Sequence, residues 1–241
     1  MAASLEASVW TPYCGAGATP LDLMVRWNLD PVVIAGILAL AAVLWRGSAP
    51  RSAWLALGLF AVIFVSPLCA LSSALLTART AHHVLLVAAV APLAAWSLPP
   101  VSRSGLAAAT LCAAAVFWIW HAPGAYAWAL SNDAPYWLMQ TSLFGTALWF
   151  WLAVRAARPM AAIAGLLVST VQMGLLGALL TVAGRALYAP HAATTWAWGL
   201  PPLQDQQLAG RIMWAPAAAI YLVIALLVLG RLLTPPSAST A

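Results

Sequence analysis

The sequence contains no lysine and few charged residues of any kind. Charged side chains make up 6% of its 241 residues, against about a quarter in an average soluble domain. Hydrophobic residues account for 64%, and the mean hydropathy is +0.94. Apolar runs of roughly twenty residues are typical of membrane helices. Composition therefore excludes a soluble globular protein and predicts an all-α polytopic membrane protein.

Patterns that would indicate catalysis are also missing. The chain has no closely spaced carboxylate pair, no glycine-rich phosphate loop, and no CxxC or haem-attaching CxxCH motif. The three cysteines, Cys14, Cys69 and Cys112, are widely spaced, and we expect from them neither a disulfide framework nor a zinc site. Intramembrane carboxylates in a row, typical of proton-driven transporters, are absent too. We therefore predict a protein without enzymatic activity.

Apolar segments divide the chain into a seven-helix membrane domain and two flanking pieces. Residues 1–27 are predicted to form an extracytoplasmic N-terminal segment, and residues 234–241 a disordered cytoplasmic tail. The membrane domain covers residues 28–233 and includes a long outer loop at 183–211. The predicted spans are Asn28–Trp45, Ala53–Leu76, Ala81–Leu98, Gly105–His121, Pro135–Val154, Met160–Val182 and Ile212–Leu233.

The distribution of charge predicts how the chain is oriented in the membrane. With the N-terminus outside and the C-terminus inside, all five acidic residues lie outside together with four arginines. The inner side then carries arginines and no acid, as the positive-inside rule requires. The net charge of +5 thus indicates the orientation in the membrane and contact with anionic lipid headgroups, and it does not indicate binding to nucleic acid. The inner arginines are Arg46, Arg51, Arg103, Arg155, Arg158 and Arg231.

Prolines, capping residues, small residues and tryptophans predict local features of these helices. Pro123 disfavours helical backbone at Ala122, so the fourth span should end near His121. Asp133 is a plausible N-cap of the fifth span. Small residues at four-residue spacing, Gly165 and Gly174 among them, indicate close helix packing in the sixth. Ten tryptophans at predicted helix ends, Trp120 and Trp151 included, are typical of interfacial anchors.

All four histidines fall on the predicted outer side. They are His82, His83, His121 and His191. The third and fourth spans are joined by a short loop, so His83 and His121 could face each other as antiparallel neighbours.

Met139, Met213 and Met173 are predicted to lie in the outer halves of their helices. Imidazole with thioether suits copper, Cu(I) above all, better than hard ions. His83 and His121 are therefore the candidate metal ligands. Four alternatives stay open: a haem b held by the same pair, a copper permease or resistance protein, a scaffold that binds no metal, and histidines that only anchor the helix ends.

Several short motifs in order resemble those of the CtaG-like cytochrome c oxidase assembly factors, a seven-helix family of bacterial membranes. The likeness extends from Trp27 to Arg231. The motifs are Trp27-x-x-Asp30-Pro31, Val65-Ser66-Pro67-Leu68, His83-Val84-Leu85-Leu86, Trp120-His121-Ala122-Pro123, Phe150-Trp151, and Asp205-Gln206-Gln207 followed by Met213-Trp214.

The resemblance also shows where this chain departs from the family pattern. Histidines of typical members fall here on Arg79, Tyr136 and Gln140. Arginine cannot ligate a metal at neutral pH, and tyrosine and glutamine are poor copper ligands. Of that larger histidine set, this chain keeps His83 and His121.

The resemblance implies an integral-membrane assembly factor for a haem-copper cytochrome c oxidase in the bacterial inner membrane. Copper delivery or client docking at the outer face would be its task. Its expected partners are oxidase subunits, other copper chaperones and membrane lipid. We expect Asp205, Gln206 and Gln207, with the aromatic outer loop, to dock the client.

Overall fold

The computed structural model describes residues 12–99 and 105–234, and within them all regular structure is helical. Arg103 and residues 235–241 of the predicted tail lie outside this part of the chain. The principal helices are α1 (Pro31–Arg46), α2 (Arg51–Val65), α3 (Leu68–Ala74), α4 (Leu76–Ser97), α5 (Leu106–His121), α6 (Pro123–Ala129), α7 (Asp133–Ala156), α8 (Pro159–Val182) and α9 (Pro202–Leu233).

The described residues contain enough long apolar helices for a multi-pass membrane protein. Four helices, α4, α7, α8 and α9, are each long and apolar enough to cross a membrane. Two bent pairs, α2 with α3 and α5 with α6, raise the number to six if each pair is one span. Helix α1 is apolar but shorter. The membrane class is thus supported, while seven spans and their orientation stay predictions.

Prolines cause both bends. Ser66 precedes Pro67 and has an extended ψ of 169°, and the chain turns by 49° between α2 and α3. Ala122 precedes Pro123 with ψ of 128°, and α5 and α6 meet at 81°. A residue before proline avoids helical backbone because the pyrrolidine ring collides with it. The predicted end of the fourth span at His121 is confirmed.

Two helices continue through a proline by forming one wider turn. A π-helical turn at Leu86–Val90 precedes Pro92 in α4, and another at Met213–Ala217 contains Pro216 in α9. Proline lacks an N–H group and crowds the carbonyl four residues earlier. The π turn accommodates this by widening the backbone locally. Met213, the first residue of the second π turn, faces the candidate site described below.

The last membrane helix begins ten residues before the predicted start. Helix α9 runs from Pro202, so the polar cluster expected in the outer loop is helical. Asp205 and Gln206 are each 1% exposed. These two side chains therefore offer no exposed docking surface, whereas Gln207 is half-buried. Asp205 instead accepts hydrogen bonds from the N–H groups of Leu76 (2.6 Å) and Thr77 (3.1 Å), at the start of α4.

Loop 183–201 lies over the end of the bundle where α5 ends and α4 begins. The Tyr188 hydroxyl donates to the carbonyl of His121 (2.8 Å), and the Thr194 hydroxyl donates to that of Ala74 (2.6 Å). The Trp198 indole donates to Ala18 O in the N-terminal segment (2.9 Å). These hydrogen bonds fix the loop over this end of the bundle, against α5, α3 and the N-terminal segment.

A disulfide between Cys14 and Cys69 corrects the prediction that the cysteines form no such bond. Their Cα atoms lie 5.3 Å apart, although 55 positions separate them in sequence. The bond joins the N-terminal segment to α3. Cys112 is free and exposed.

Three smaller predictions are also corrected. The N-cap of α7 is Asn132, whose side chain accepts from Ala134 N, and Asp133 is the first helical residue. Trp120 and Trp151 are buried, not interfacial, and their indole N–H groups donate to Ser142 Oγ and Val87 O, both at 2.8 Å. A buried indole with a hydrogen-bond partner is a core residue.

Helices α8 and α9 approach each other closely at Gly177 and Gly210. A methyl group on Gly177 would lie 2.7 Å from the Gly210 carbonyl oxygen. A methyl group on Gly165 would lie 3.3 Å from the Leu106 side chain, and one on Gly174 would lie 3.6 Å from the Trp214 side chain. Small residues let helix backbones come close in a membrane. The sequence predicted close packing on this helix but did not single out Gly177.

Candidate functional site

The structure brings His83 and His121 together. His83 lies in α4 and is buried, and His121 is the last residue of α5. Their ring centroids are 6.3 Å apart and their planes are nearly perpendicular, at 81°. A metal–imidazole bond is ~2.0–2.1 Å long, so two imidazoles on one ion have centroids roughly 6 Å apart. The predicted proximity of the pair is therefore confirmed, at a spacing compatible with a shared ion.

His121 is held in an orientation suited to ligation. Its Nδ1 lies 2.7 Å from the carbonyl oxygen of Phe117, one turn earlier in α5. A proton on Nδ1 would donate to that carbonyl and leave the Nε2 lone pair free. A backbone carbonyl bound to the second ring nitrogen is the usual support of a metal-binding histidine. His83 Nε2 has a weaker contact, 3.4 Å from the Gln140 side-chain nitrogen.

Both histidines line one cavity of about 80 Å³ between α4, α5, α7, α8 and α9. Met173 of α8 and Met213 of α9 line the same cavity. Met139 is fully buried but packs in a different core cluster, against α2 and α4. Of the three methionines singled out in the sequence, two therefore line the cavity that His83 and His121 also line.

The donor set of this cavity fits a soft, low-coordinate ion. Two imidazoles and two thioethers are ligands that Cu(I) accepts, whereas hard ions prefer oxygen. The described ranges contain no group of three or more histidine, cysteine or carboxylate side chains that could hold a metal. A structural zinc site, which normally uses four such ligands, is not formed in this part of the chain.

The other two histidines are buried near the cavity but do not line it. The His82 ring packs edge-on against Phe64, with centroids 4.9 Å apart. His191 Nε2 lies 2.6 Å from the Tyr126 hydroxyl, a hydrogen bond between the covering loop and α6. Burial lowers the pKa of His191 to about 3, so its imidazole is neutral. Neither residue replaces a missing ligand in the cavity.

Comparison with protein families gives one match over nearly the whole chain. A model described as cytochrome c oxidase caa3 assembly factor (Caa3_CtaG) matches residues 32–234. The chain belongs to the Caa3_CtaG family. Searches of curated proteins and of solved structures found no match. Family membership confirms the resemblance seen in the sequence motifs.

In this Caa3_CtaG member, the three positions that depart from the histidine pattern are all buried beside the pair. Arg79 lies over the ring of Tyr136, with its guanidinium carbon 5.3 Å from the ring centroid. Gln140 contacts His83. The sequence identified these positions individually, but it carried no signal that Arg79 and Tyr136 stack on each other.

Proposed function

We propose that this chain is a non-enzymatic assembly factor for a caa3-type cytochrome c oxidase and that it holds Cu(I) on the way to its client. Family membership supports the first part. The cavity that joins His83 and His121 to Met173 and Met213 is the single observation that carries the second. Copper is the cargo in this proposal, not a resident cofactor.

The cavity residues suit a carrier that must release its ion. Imidazole and thioether bind Cu(I) through soft donors, and thioethers are weak ligands that exchange readily. The donors come from four different helices. An incoming ligand from the client could therefore replace them one at a time while the other donors still hold the ion.

The proposed location is the bacterial inner membrane, with seven spans, the N-terminus outside and the C-terminus inside. The separation of arginine from acidic residues supports this orientation. It puts His83 and His121 in the outer leaflet, where copper would arrive from other copper chaperones. Helix α1, with 16 residues, would serve as the first span and rely on Trp45 and Arg46 at its inner end.

Exposed tryptophans at the same end of the bundle are the proposed contact with the oxidase subunit. Trp196 in the covering loop is 60% exposed, and Trp214 at the outer part of α9 is 52% exposed. Tryptophan is enriched both at lipid interfaces and in the centres of protein interfaces. This assignment replaces the one to Asp205 and Gln206, which are buried.

Deletion of the gene tests the proposal in cells. We expect lower cytochrome c oxidase activity and less oxidase copper, with the oxidase polypeptides still made. Complementation by the wild type or by Met139→Leu should restore activity, because Met139 lies outside the cavity. His121→Ala and Met213→Leu should restore less. Normal oxidase activity and copper in the deletion strain would refute an assembly role, and full rescue by His121→Ala would refute copper handling alone.

A further inference from the structure

An apolar groove lies between α1 and the rest of the bundle. Of the 16 residues of α1, only Val33 is buried, so most of the surface of this helix is left open. The groove has a volume of about 650 Å³ and is lined by residues of α1, α2, α4 and α7. This volume falls within the ~300–1,000 Å³ typical of small-ligand sites. None of its lining residues belongs to the cavity of His83 and His121.

The lining of this groove suits a hydrocarbon chain. It contains no charged side chain, and its one hydroxyl, that of Ser97, already donates to the carbonyl oxygen of Ala94 at 2.7 Å. Because the bilayer core holds no water, an apolar surface open to it is covered by lipid tails. A charged ligand would find no partner along the groove. The bulky lining side chains include Leu40, Leu57, Phe60, Trp137 and Phe144.

The groove is also long enough for one acyl chain. Its lining on α1 extends from Val32 to Leu44, which corresponds to about 18 Å at a rise of 1.5 Å per residue. One leaflet of the hydrocarbon core is roughly 15 Å thick, half of the whole core. A single lipid tail that enters at one end of α1 therefore fits along the helix.

Two arginines mark one end of the groove. Arg46 lies in the last turn of α1 and Arg51 is the first residue of α2, each two positions from a lining residue, Leu44 or Ala53. Both arginines are exposed, and neither takes part in the one ion pair that the described residues form. No acidic residue occurs in α1, in α2 or in their connection. A basic site beside a gap between membrane helices is an arrangement that binds anionic lipid headgroups.

We infer that this groove binds one anionic phospholipid. One acyl chain lies between α1 and the helices α4 and α7, and the headgroup contacts Arg46 and Arg51. The two unpaired positive charges favour an anionic headgroup over a zwitterionic one, and the uncharged lining accounts for the hydrocarbon chain. In the orientation proposed above, this lipid belongs to the inner leaflet, across the membrane from His83 and His121. The inference does not depend on copper binding.

Native mass spectrometry of the full-length protein in detergent tests the headgroup contact. The two lipids compared, dioleoyl phosphatidylglycerol and dioleoyl phosphatidylcholine, have identical acyl chains. Wild type should bind one phosphatidylglycerol in preference to phosphatidylcholine. Arg46→Gln/Arg51→Gln should weaken phosphatidylglycerol binding about 20-fold, since each basic residue at an anionic lipid contributes about fivefold. Arg158→Gln/Arg231→Gln is the matched control, because both arginines are exposed and neither lies on a helix that lines the groove. It should bind as wild type does.

A second pair of variants tests the acyl-chain contact. Gly36 lines the groove, and a methyl group on it would meet nothing within 4 Å. Gly36→Phe should therefore place its ring in the groove and abolish phosphatidylglycerol binding. Gly58→Phe is the matched control, because Gly58 has the same open surroundings on α2 but does not line the groove. This control should keep the lipid.

Three results would overturn the inference. The first is equal binding of the two lipids by wild type. The second is undiminished phosphatidylglycerol binding by Gly36→Phe or by Arg46→Gln/Arg51→Gln. The third is a dimer that carries no phospholipid, because a second copy of the chain would then cover α1. The comparison of the two lipids on wild type needs no variant, so it stays decisive if a variant does not fold.

Discussion

Removing the Asp205 carboxylate should destabilise the start of α4, although 129 positions separate Asp205 from Leu76. The first N–H groups of a helix have no partner within the helix. Asp205 accepts two of them, at 2.6 and 3.1 Å, and its own backbone carbonyl accepts from the Thr77 hydroxyl at 2.9 Å. It therefore caps α4 from outside, with its negative charge at the positive end of the helix dipole.

The expected cost follows from these contacts. A hydrogen bond to a charged group contributes about 1.5–3 kcal/mol, and a buried donor left without a partner costs about 1–3 kcal/mol. Asp205→Ala removes one carboxylate and leaves two N–H groups unpaired, so we expect a loss of about 2–4 kcal/mol. Asp205→Asn keeps one acceptor and should lose about half as much.

Unfolding in mixed micelles titrated with SDS, followed by tryptophan fluorescence, measures this loss. Asp133→Ala is the control, because Asp133 also lies in the first turn of a helix but is exposed. It should change the free energy of unfolding by about 0.5 kcal/mol or less. If Asp205→Ala were no less stable than Asp133→Ala, the capping role of Asp205 would be wrong.

Three further perturbations test other parts of the structure. Gly177→Ala should destabilise by about 1–3 kcal/mol or more, since its methyl would meet backbone at 2.7 Å, whereas Gly174→Ala has ordinary contacts at 3.6 Å and should be tolerated in the same SDS titration. Cys14→Ser should cost about 2–4 kcal/mol and abolish the effect of dithiothreitol on the unfolding midpoint, while Cys112→Ser should do neither. Burial lowers the pKa of His191 from 6.5 to about 3. As the pH falls, the His191 imidazole is therefore protonated in the unfolded state before it is protonated in the folded state. Stability should then drop below pH ~6.5 by up to about 1.4 kcal/mol per unit, and His191→Gln should show a smaller drop.

Local chemistry explains what could be predicted from the sequence. Composition identified the membrane class, and Pro123 identified the end of α5, because a proline acts on the residue directly before it. The short loop between the third and fourth spans brought His83 and His121 together. Each of these inferences depends on residues that are near one another in the chain or joined by a short connection.

Contacts between distant parts of the chain escaped prediction. The Cys14–Cys69 disulfide and the capping of α4 by Asp205 join segments that only the folded bundle brings together. Residues 204–207 (Gln-Asp-Gln-Gln) looked like a surface cluster, because polar residues are mostly exposed. Asp205 and Gln206 are buried instead, since each has backbone partners, with Gln206 Oε1 accepting from Leu187 N at 2.7 Å.

The candidate site was predicted in part. The two histidines were found from their position and their place in the family motifs. The sequence could not show which methionines share a cavity with these histidines, because Met139, Met173 and Met213 all lie in the same half of the predicted bundle. Which way each side chain faces depends on the rotation of its helix, and a helix apolar on all sides gives no periodic signal for that rotation.

Copper binding by the purified protein tests the central claim most directly. Under reducing conditions and against a competing Cu(I) chelator, wild type and Met139→Leu should each retain about one copper per chain, as expected of one soft-donor site. The double variant His83→Ala/His121→Ala should retain almost none, and Met213→Leu should bind more weakly. Equal copper content in wild type and the double variant would contradict the proposed site.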